Sequence, residues 1–441
     1  MRTFAHLLVN TLLVSVINFT VWFAITFYVY LQTRSVFATG TIAGIFLVAT
    51  AGTGIWFGSL VDRHPKKAVM QVSAAVSLTT YAVCLALYLV TPHEEFTDVT
   101  SVRLWVFVVL LMFGVIAGNI RSIALMTLVT ALIAEDRRDR ANGLVGTTSG
   151  VSILVTSVIS GLLVGRDGMY SVLVLTVVVL ALALLHLAFI PVSTPPPAPR
   201  EEGTTNIDVR GTLRVIRGVP GLPALIIFSC LNNFLGGAFM ALMDPYGLSL
   251  MSVQAWGLLW GVLSSGFIVG GLLVAKTGLG ANPVRLLLLV NLVLWTVTLL
   301  FPLRSSVVLL AAGMLVYMTL IPYAEAAEQT VLQKVVPYER QGRVFGFAQS
   351  VEQAASPLTA FLIGPLAEFL VIPSMTDGFW AGLIGSWFGT GPDRGMALVF
   401  VLTAVLGLVA TGYALSSRYY RLLRDRYAQG AAQPAGLPST S

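Results

Sequence analysis

Stretches of about twenty predominantly apolar residues recur from one end of this chain to the other, and that recurrence limits what it can become. A helix crossing a bilayer needs roughly 20 such residues, and backbone inside lipid must satisfy its polar groups within the structure it forms. Runs of this kind cover 7–31, 38–61, 67–91, 103–134, 142–165, 169–190, 221–249, 255–276, 284–302, 306–335, 344–371 and 395–416. Twelve spans are therefore expected, the longer ones tilted or protruding. Only 10% of the 441 residues are charged and mean hydropathy is +0.86, whereas a soluble domain carries about 25% charged residues. The short alternating segments of a membrane barrel are not evident. The expected fold class is all-α integral membrane.

Lys and Arg then set the orientation. With the N-terminus inside, the loops and termini on the inner side hold 20 Lys and Arg, and the outer side only Arg34, Arg103, Arg166, Arg304 and Arg394. This positive-inside bias places both termini in the cytoplasm and the chain in the cytoplasmic (inner) membrane. The net charge of +6 is answered by the anionic inner leaflet, so no nucleic-acid partner is implied. No cleavable signal peptide is expected, because the first apolar run is long and lacks a suitable small-residue cleavage site. Cys84 and Cys230 fall in separate spans, and His6, His64, His93 and His186 are scattered. Neither a disulfide framework nor a metal or cofactor site is implied.

Residues 191–206, PVSTPPPAPREEGTTN, read as an extended linker. After it, Val209, Leu213 and Ile216 share one helical face and Arg210, Arg214 and Arg217 another, the pattern of an interfacial helix on an anionic leaflet. The expected organisation is an N-terminal six-helix bundle (1–190), a linker with its interfacial helix (191–220), a C-terminal six-helix bundle (221–418) and a tail (419–441), irregular from about residue 427. The halves read as a duplication. A shift of 203 aligns Asp136 with Glu339, Arg137 with Arg340, Arg140 with Arg343, Gly143 with Gly346 and Gly161 with Gly364. Repeats related by an axis along the membrane normal are a transporter plan.

Residues 58–67, GSLVDRHPKK, put five ionisable side chains into ten positions. Asp62 ends one span and Lys66 and Lys67 begin the next, the reverse of what helix dipoles favour. Such a loop must answer to something outside its own two helices. Gly58, Leu60, Asp62, Arg63 and the Lys66–Lys67 pair resemble motif A of the major facilitator superfamily, in its place between spans 2 and 3. Pro65 stands where that family has Gly, and Lys66 where it usually has Arg. The corresponding loop of the second half, GLLVAKTGLGANPVR, has Ala275 in place of the acid. The ERQGRVFG and ANGLVG stretches resemble the branch holding macrolide, multidrug and siderophore exporters. The resemblance spans nearly the whole chain and implies twelve helices in two pseudo-symmetric bundles. It further implies that Asp62 docks on the N-terminal end of helix 11 near Gly342–Arg343, with Arg140 as a charge partner, when the transporter is open to the outside.

Ionisable groups deep in the spans are the next signal. Insertion costs about 2.5–3.5 kcal/mol for Arg or Asp at a helix centre, so such groups face a partner or a cavity. Arg121 in span 4 is the one basic residue near mid-membrane, and the 203 shift aligns its neighbour Ser122 with Glu325. Glu328 lies three residues beyond Glu325, on the same helical face. Carboxyls brought together in a dry site suit proton coupling; a structural pair with Arg121 is the alternative. Asp244, followed by Pro245, and Glu352 in span 11 complete the proton-coupling candidates. Pro245 is expected to break or kink its helix. By resemblance, spans 1, 4, 7 and 10 line a central cavity, which makes Asn18, Asn119, Arg121, Asn233 and Tyr323 substrate-cavity candidates. Hydrogen bonding between helices is the alternative use of the asparagines. Between the last two spans, 372–394 is expected to form a short interfacial helix.

The spans lack clustered catalytic or metal-ligand spacings and any selectivity-filter sequence, which argues against an enzyme and against a channel. The leading expectation is proton-coupled efflux, by antiport, of amphiphilic drugs through alternating access. A transporter of one metabolite, siderophore or lipid on the same scaffold is the alternative. The partners implied are a small-molecule substrate, protons and the bilayer, with no cofactor beyond the proton gradient; the chain is expected to act as a monomer.

Overall fold

The computed structural model describes residues 2–33, 36–192 and 209–429. The expected linker from residue 193 onward and the tail beyond 429 lie outside them. Every regular element among the described residues is helical. In the first half these are α1 (Arg2–Thr33), α2 (Val36–Arg63), α3 (Lys66–Val90), short α4 (His93–Thr97), α5 (Val102–Leu132), α6 (Arg138–Asp167) and α7 (Met169–Phe189). Then come α8 (Val209–Gly218), α9 (Leu222–Leu250), α10 (Val253–Thr277), α11 (Pro283–Leu300), α12 (Val307–Val335) and α13 (Gln341–Leu366). A π-helical turn (Ala367–Val371) leads to α14 (Ile372–Thr376), α15 (Phe379–Phe388), α16 (Pro392–Ser416) and α17 (Arg418–Gln429).

Among the described residues, ten helices are long and apolar enough to cross a membrane. α2 and α6, of 28 and 30 residues, stand at the second and fifth expected spans. Local chemistry writes many of the ends. Ser101 and Asn282 accept from the backbone N–H groups of Leu104 and Arg285, capping α5 and α11. Gly168 (φ +62) and Gly278 (φ +72) terminate α6 and α10 in conformations that only glycine adopts readily. The break expected at Pro245 does not occur. α9 runs through Pro245 to Leu250 without breaking, as helices do where packing in a membrane bundle re-satisfies the freed carbonyl. The tail begins as the helix α17, held by Leu423, which is buried against Gly221. In α8, Ile216 is buried while Arg210, Arg214 and Arg217 are exposed, and α15 supplies the short helix expected within 372–394.

The chain forms two compact units, and each borrows a piece of helix from the distant half of the sequence. The first comprises Met1–Arg138, Thr148–Thr212 and Tyr338–Ser350; the second Asp139–Thr147, Leu213–Pro337 and Val351–Ser441. In the first, α3 packs along α5 and α7, α1 along the same two helices, and α2 along α5. One end is closed by the rings of Tyr28, Tyr88, Phe96 and Phe107, with Phe96 delivered by α4. In the second, α10 and α11 pack on α12, and α16 on α9 and α11. Its aromatic plug is Phe239, Tyr246, Phe301 and Phe400. Beside it, buried Arg394 donates to the carbonyls of Phe388 (2.7 Å) and Pro302 (2.9 Å) and lies over the Phe388 ring, so a fixed cation ties α15 to the α11–α12 turn. The duplication extends to local form: 3-10 turns at Glu135–Arg137 and Tyr338–Arg340 precede α6 and α13 at the same 203-residue spacing.

Candidate functional site

The misplaced charges of the 58–67 loop find their partners within the first unit. Asp62, 1% exposed, accepts from the backbone N–H groups of Gly342 (2.6 Å) and Arg343 (2.9 Å), the first turn of α13. The Arg343 guanidinium Nε stands 3.6 Å from the same carboxylate. An acid wrongly placed at the C-terminal end of α2 is thus rightly placed at the N-terminal end of α13, where unsatisfied N–H groups and the dipole favour an anion. Lys66, 3% exposed, donates to the Asp62 carbonyl and lies over the Tyr338 ring. Lys67 donates to the carbonyls of Ala188 (3.0 Å) and Ile190 (2.7 Å), a cation on the C-terminal end of α7. Arg63 is half-buried at the last position of α2. Arg140 falls in the other unit, exposed, on the turn after Asp139.

Glycines let the two backbones meet at this latch. A Cβ on Gly58 would land on the carbonyl of Gly342, one on Gly346 on the carbonyl of Gly54, and one on Gly54 on the Ser350 hydroxyl. Gly54-x-x-x-Gly58 and Gly342-x-x-x-Gly346 are small-residue pairs of the kind that bring membrane helices into close contact. The spacing was legible in the sequence, but only Gly58 was picked out there for the latch.

The second unit holds a counterpart that the sequence reading did not find. A Cβ on Gly271 would strike Thr147 and the Gly143 carbonyl, and one on Gly143 would strike Val274 and Ala275. By these contacts Gly271 and Ala275 stand where Gly54 and Gly58 stand, one helical turn from the motif alignment that put Ala275 opposite Asp62. The position matching Asp62 is then Leu279, just beyond the end of α10. Its N–H donates to Asp139 Oδ2 (2.8 Å), while Asp139 Oδ1 accepts from the N–H of Arg140 (2.7 Å). Asp139 itself corresponds to Gly342 under the 203 shift. The acid-to-backbone bond survives the duplication with acid and N–H exchanged between the two helices. Beside it, Asn142 donates to Thr330 Oγ1 and Gln333 Oε1, both at 2.9 Å, in a buried amide cluster between α6 and α12.

Three of the predicted acids gather in the second unit. Glu328 accepts from Ser229 Oγ of α9 at 2.6 Å, and Glu352 of α13 neighbours it. Glu352 Oε1 is buried with no hydrogen-bond partner among the described residues. Glu325 lies one turn before Glu328 on α12. Asp244 is apart from them, exposed, accepting from Trp256 Nε1 at 2.9 Å.

The cavity candidates divide differently. Arg121, 2% exposed, donates to the Met70 carbonyl (3.0 Å) and to Asn10 Oδ1, inside the first unit. Asn10 donates in turn to the Ala183 carbonyl and touches His186, which touches His6, each at 3.4 Å. Two histidines that looked scattered therefore meet, although no group of three metal-ligating side chains forms among the described residues. Asn18 accepts from Tyr81 Oη (3.0 Å) in the same interior. Asn119 lies 3.5 Å from Thr50 Oγ1, and Asn233 is exposed, donating to the Ser229 carbonyl. Tyr323 is half-buried on α12.

The profile of the Major Facilitator Superfamily matches residues 7–360. Macrolide efflux protein A of Streptococcus pyogenes is 23% identical over 372 residues, covering 78% of this chain and 84% of that protein. Among solved structures, the human organic anion transporter MFSD10 superposes with a TM-score of 0.71 at 13% identity, over 93% of this chain and 99% of that one. A bacterial homologue of the iron transporter ferroportin, in its outward-facing state, gives 0.70 at 14% identity over 95% of this chain and 100% of that one. The proton:xylose symporter XylE gives 0.63 at 12%, over 94% and 95% of the two chains.

Proposed function

The chain belongs to the major facilitator superfamily, and we propose that it exports amphiphilic small molecules from the cytoplasm in exchange for protons, by alternating access between two six-helix halves. The observation that carries the coupling reading is the Ser229–Glu328–Glu352 cluster with Glu325 one turn away. Carboxyls this close share protons rather than ionise together, and in an apolar span such a group is a functional device by default. Efflux rather than uptake is favoured by the likeness to a macrolide efflux protein, and the positive-inside bias assigns the Asp62 end to the cytoplasm. In this reading Asp62 on the α13 N-terminus and Asp139 on the Leu279 N–H are the cytoplasmic latches.

The test is purified protein in proteoliposomes with an entrapped pH indicator and a panel headed by a macrolide. Compound-driven proton movement is expected, and Glu325→Gln is expected to lose it. Sodium-dependent, pH-indifferent transport would overturn proton coupling, and a saturable response to one compound alone would favour a single-metabolite carrier. In the same assay Asp139→Asn is expected to lower the initial rate by roughly fivefold. Its carboxylate is half-exposed, so the lost bond is worth about 1 kcal/mol rather than the larger value of a buried charged one. An unchanged rate would remove the second latch.

A further inference from the structure

The face of α2 that looks away from the glycine crossing borders a trough. Trp56 and Leu60 form one wall, Val72 of α3 the other, and Phe113 and Ala117 of α5 the floor, enclosing about 470 Å³. That volume lies within the roughly 300–1,000 Å³ of ligand pockets. Hydroxyls on the walls are turned back onto backbone: Ser73 Oγ donates to the Ala117 carbonyl (2.8 Å) and Thr53 Oγ1 to that of Ala49 (2.7 Å). The trough therefore offers a guest dispersion contacts and almost no hydrogen bonds. From Ala49 to Leu60 its α2 wall runs about 16 Å at 1.5 Å per residue, close to half of the roughly 30 Å hydrocarbon core. At its mouth stands exposed His64, next to Arg63 at the last position of α2.

We propose that this trough is a binding site for one acyl chain of an anionic phospholipid from the leaflet on the Asp62 side, with the phosphate at the Arg63–His64 mouth. A largely apolar slot one leaflet deep with a basic end at Arg63–His64 matches a single lipid, whereas a transported amphiphile would need polar partners along the wall. The opposite face of α2 carries Gly54 and Gly58, and Asp62 sits in its last turn. A chain in the trough thus backs the helix that bears the latch. The inference rests on the membrane orientation proposed above but not on substrate or coupling.

Trp56 reports on the site directly. Protein reconstituted in phosphatidylcholine is titrated with phosphatidylglycerol carrying brominated chains, and separately with brominated phosphatidylcholine; the Trp56 signal is the difference between wild type and Trp56→Phe. The Trp56 component is expected to quench saturably, with about fivefold preference for phosphatidylglycerol for each basic side chain engaged, the scale of one surface cation acting on an anionic lipid. Arg63→Gln is expected to reduce that preference while leaving quenching by brominated chains intact. Three results would overturn the proposal. They are quenching that follows total brominated lipid whatever the headgroup, no quenching of Trp56, or displacement of the brominated lipid by the macrolide. Because the readout is binding, a failure of the transport reading leaves it separately decidable.

Discussion

Asp62→Asn is expected to cut transport at least tenfold while leaving the amount of protein in the membrane unchanged. The carboxylate receives two backbone N–H groups and an Arg343 contact, and hydrogen bonds to a charged group are worth about 1.5–3 kcal/mol each. Asn keeps the size but offers one acceptor oxygen, and its NH2 group then confronts a second donor. The latched arrangement loses stability relative to the unlatched one, and a carrier must populate both to turn over. The check is the initial rate in proteoliposomes, normalised to membrane content. A variant that transports like wild type would show that the buried acid is only a fold contact.

Glu328→Gln is expected to bring substrate-driven proton movement to background, at least a tenfold loss, while substrate exchange without a gradient persists. Ser229 Oγ can still donate to the amide oxygen, so the packing around α9 is kept. What disappears is the ionisable carboxyl that Ser229 holds on α12. Glu328→Asp should recover part of the flux, since it restores a carboxyl on a shorter stem. If Glu328→Gln moved protons at the wild-type rate, the coupling group would lie elsewhere, and Asp244, hydrogen-bonded to Trp256, would be the next to examine.

Hydropathy alone placed the long helices to within a few residues, because lipid leaves few ways to satisfy a backbone. Asp62 was legible for a related reason: its charge contradicts the dipole of its own helix, and that contradiction points to another. Asp139 produced no such contradiction. It lies in the first turn of α6, where an acid is favoured anyway, so its bond to Leu279 left no trace in the sequence. The Ala275 register was misread because GLLVA mimics GSLVD in letters, while contact is set by which small residues let the helices touch. Asn10 and His186 lie 176 positions apart, and nothing local in either stretch announces the meeting. Arg121, read as lining a cavity, has neutral partners inside its own unit. Its depth was legible, its direction was not.

The exchange of helix starts bears on how the protein is made. Residues 338–350 complete the first compact unit, yet the ribosome delivers them after most of the second has emerged. Until then the glycine face of α2 lies bare and Asp62 has no helix end to receive it. A nascent chain stalled before that point, or a half-length product ending in the proline-rich segment, would therefore leave that acid without its two backbone donors.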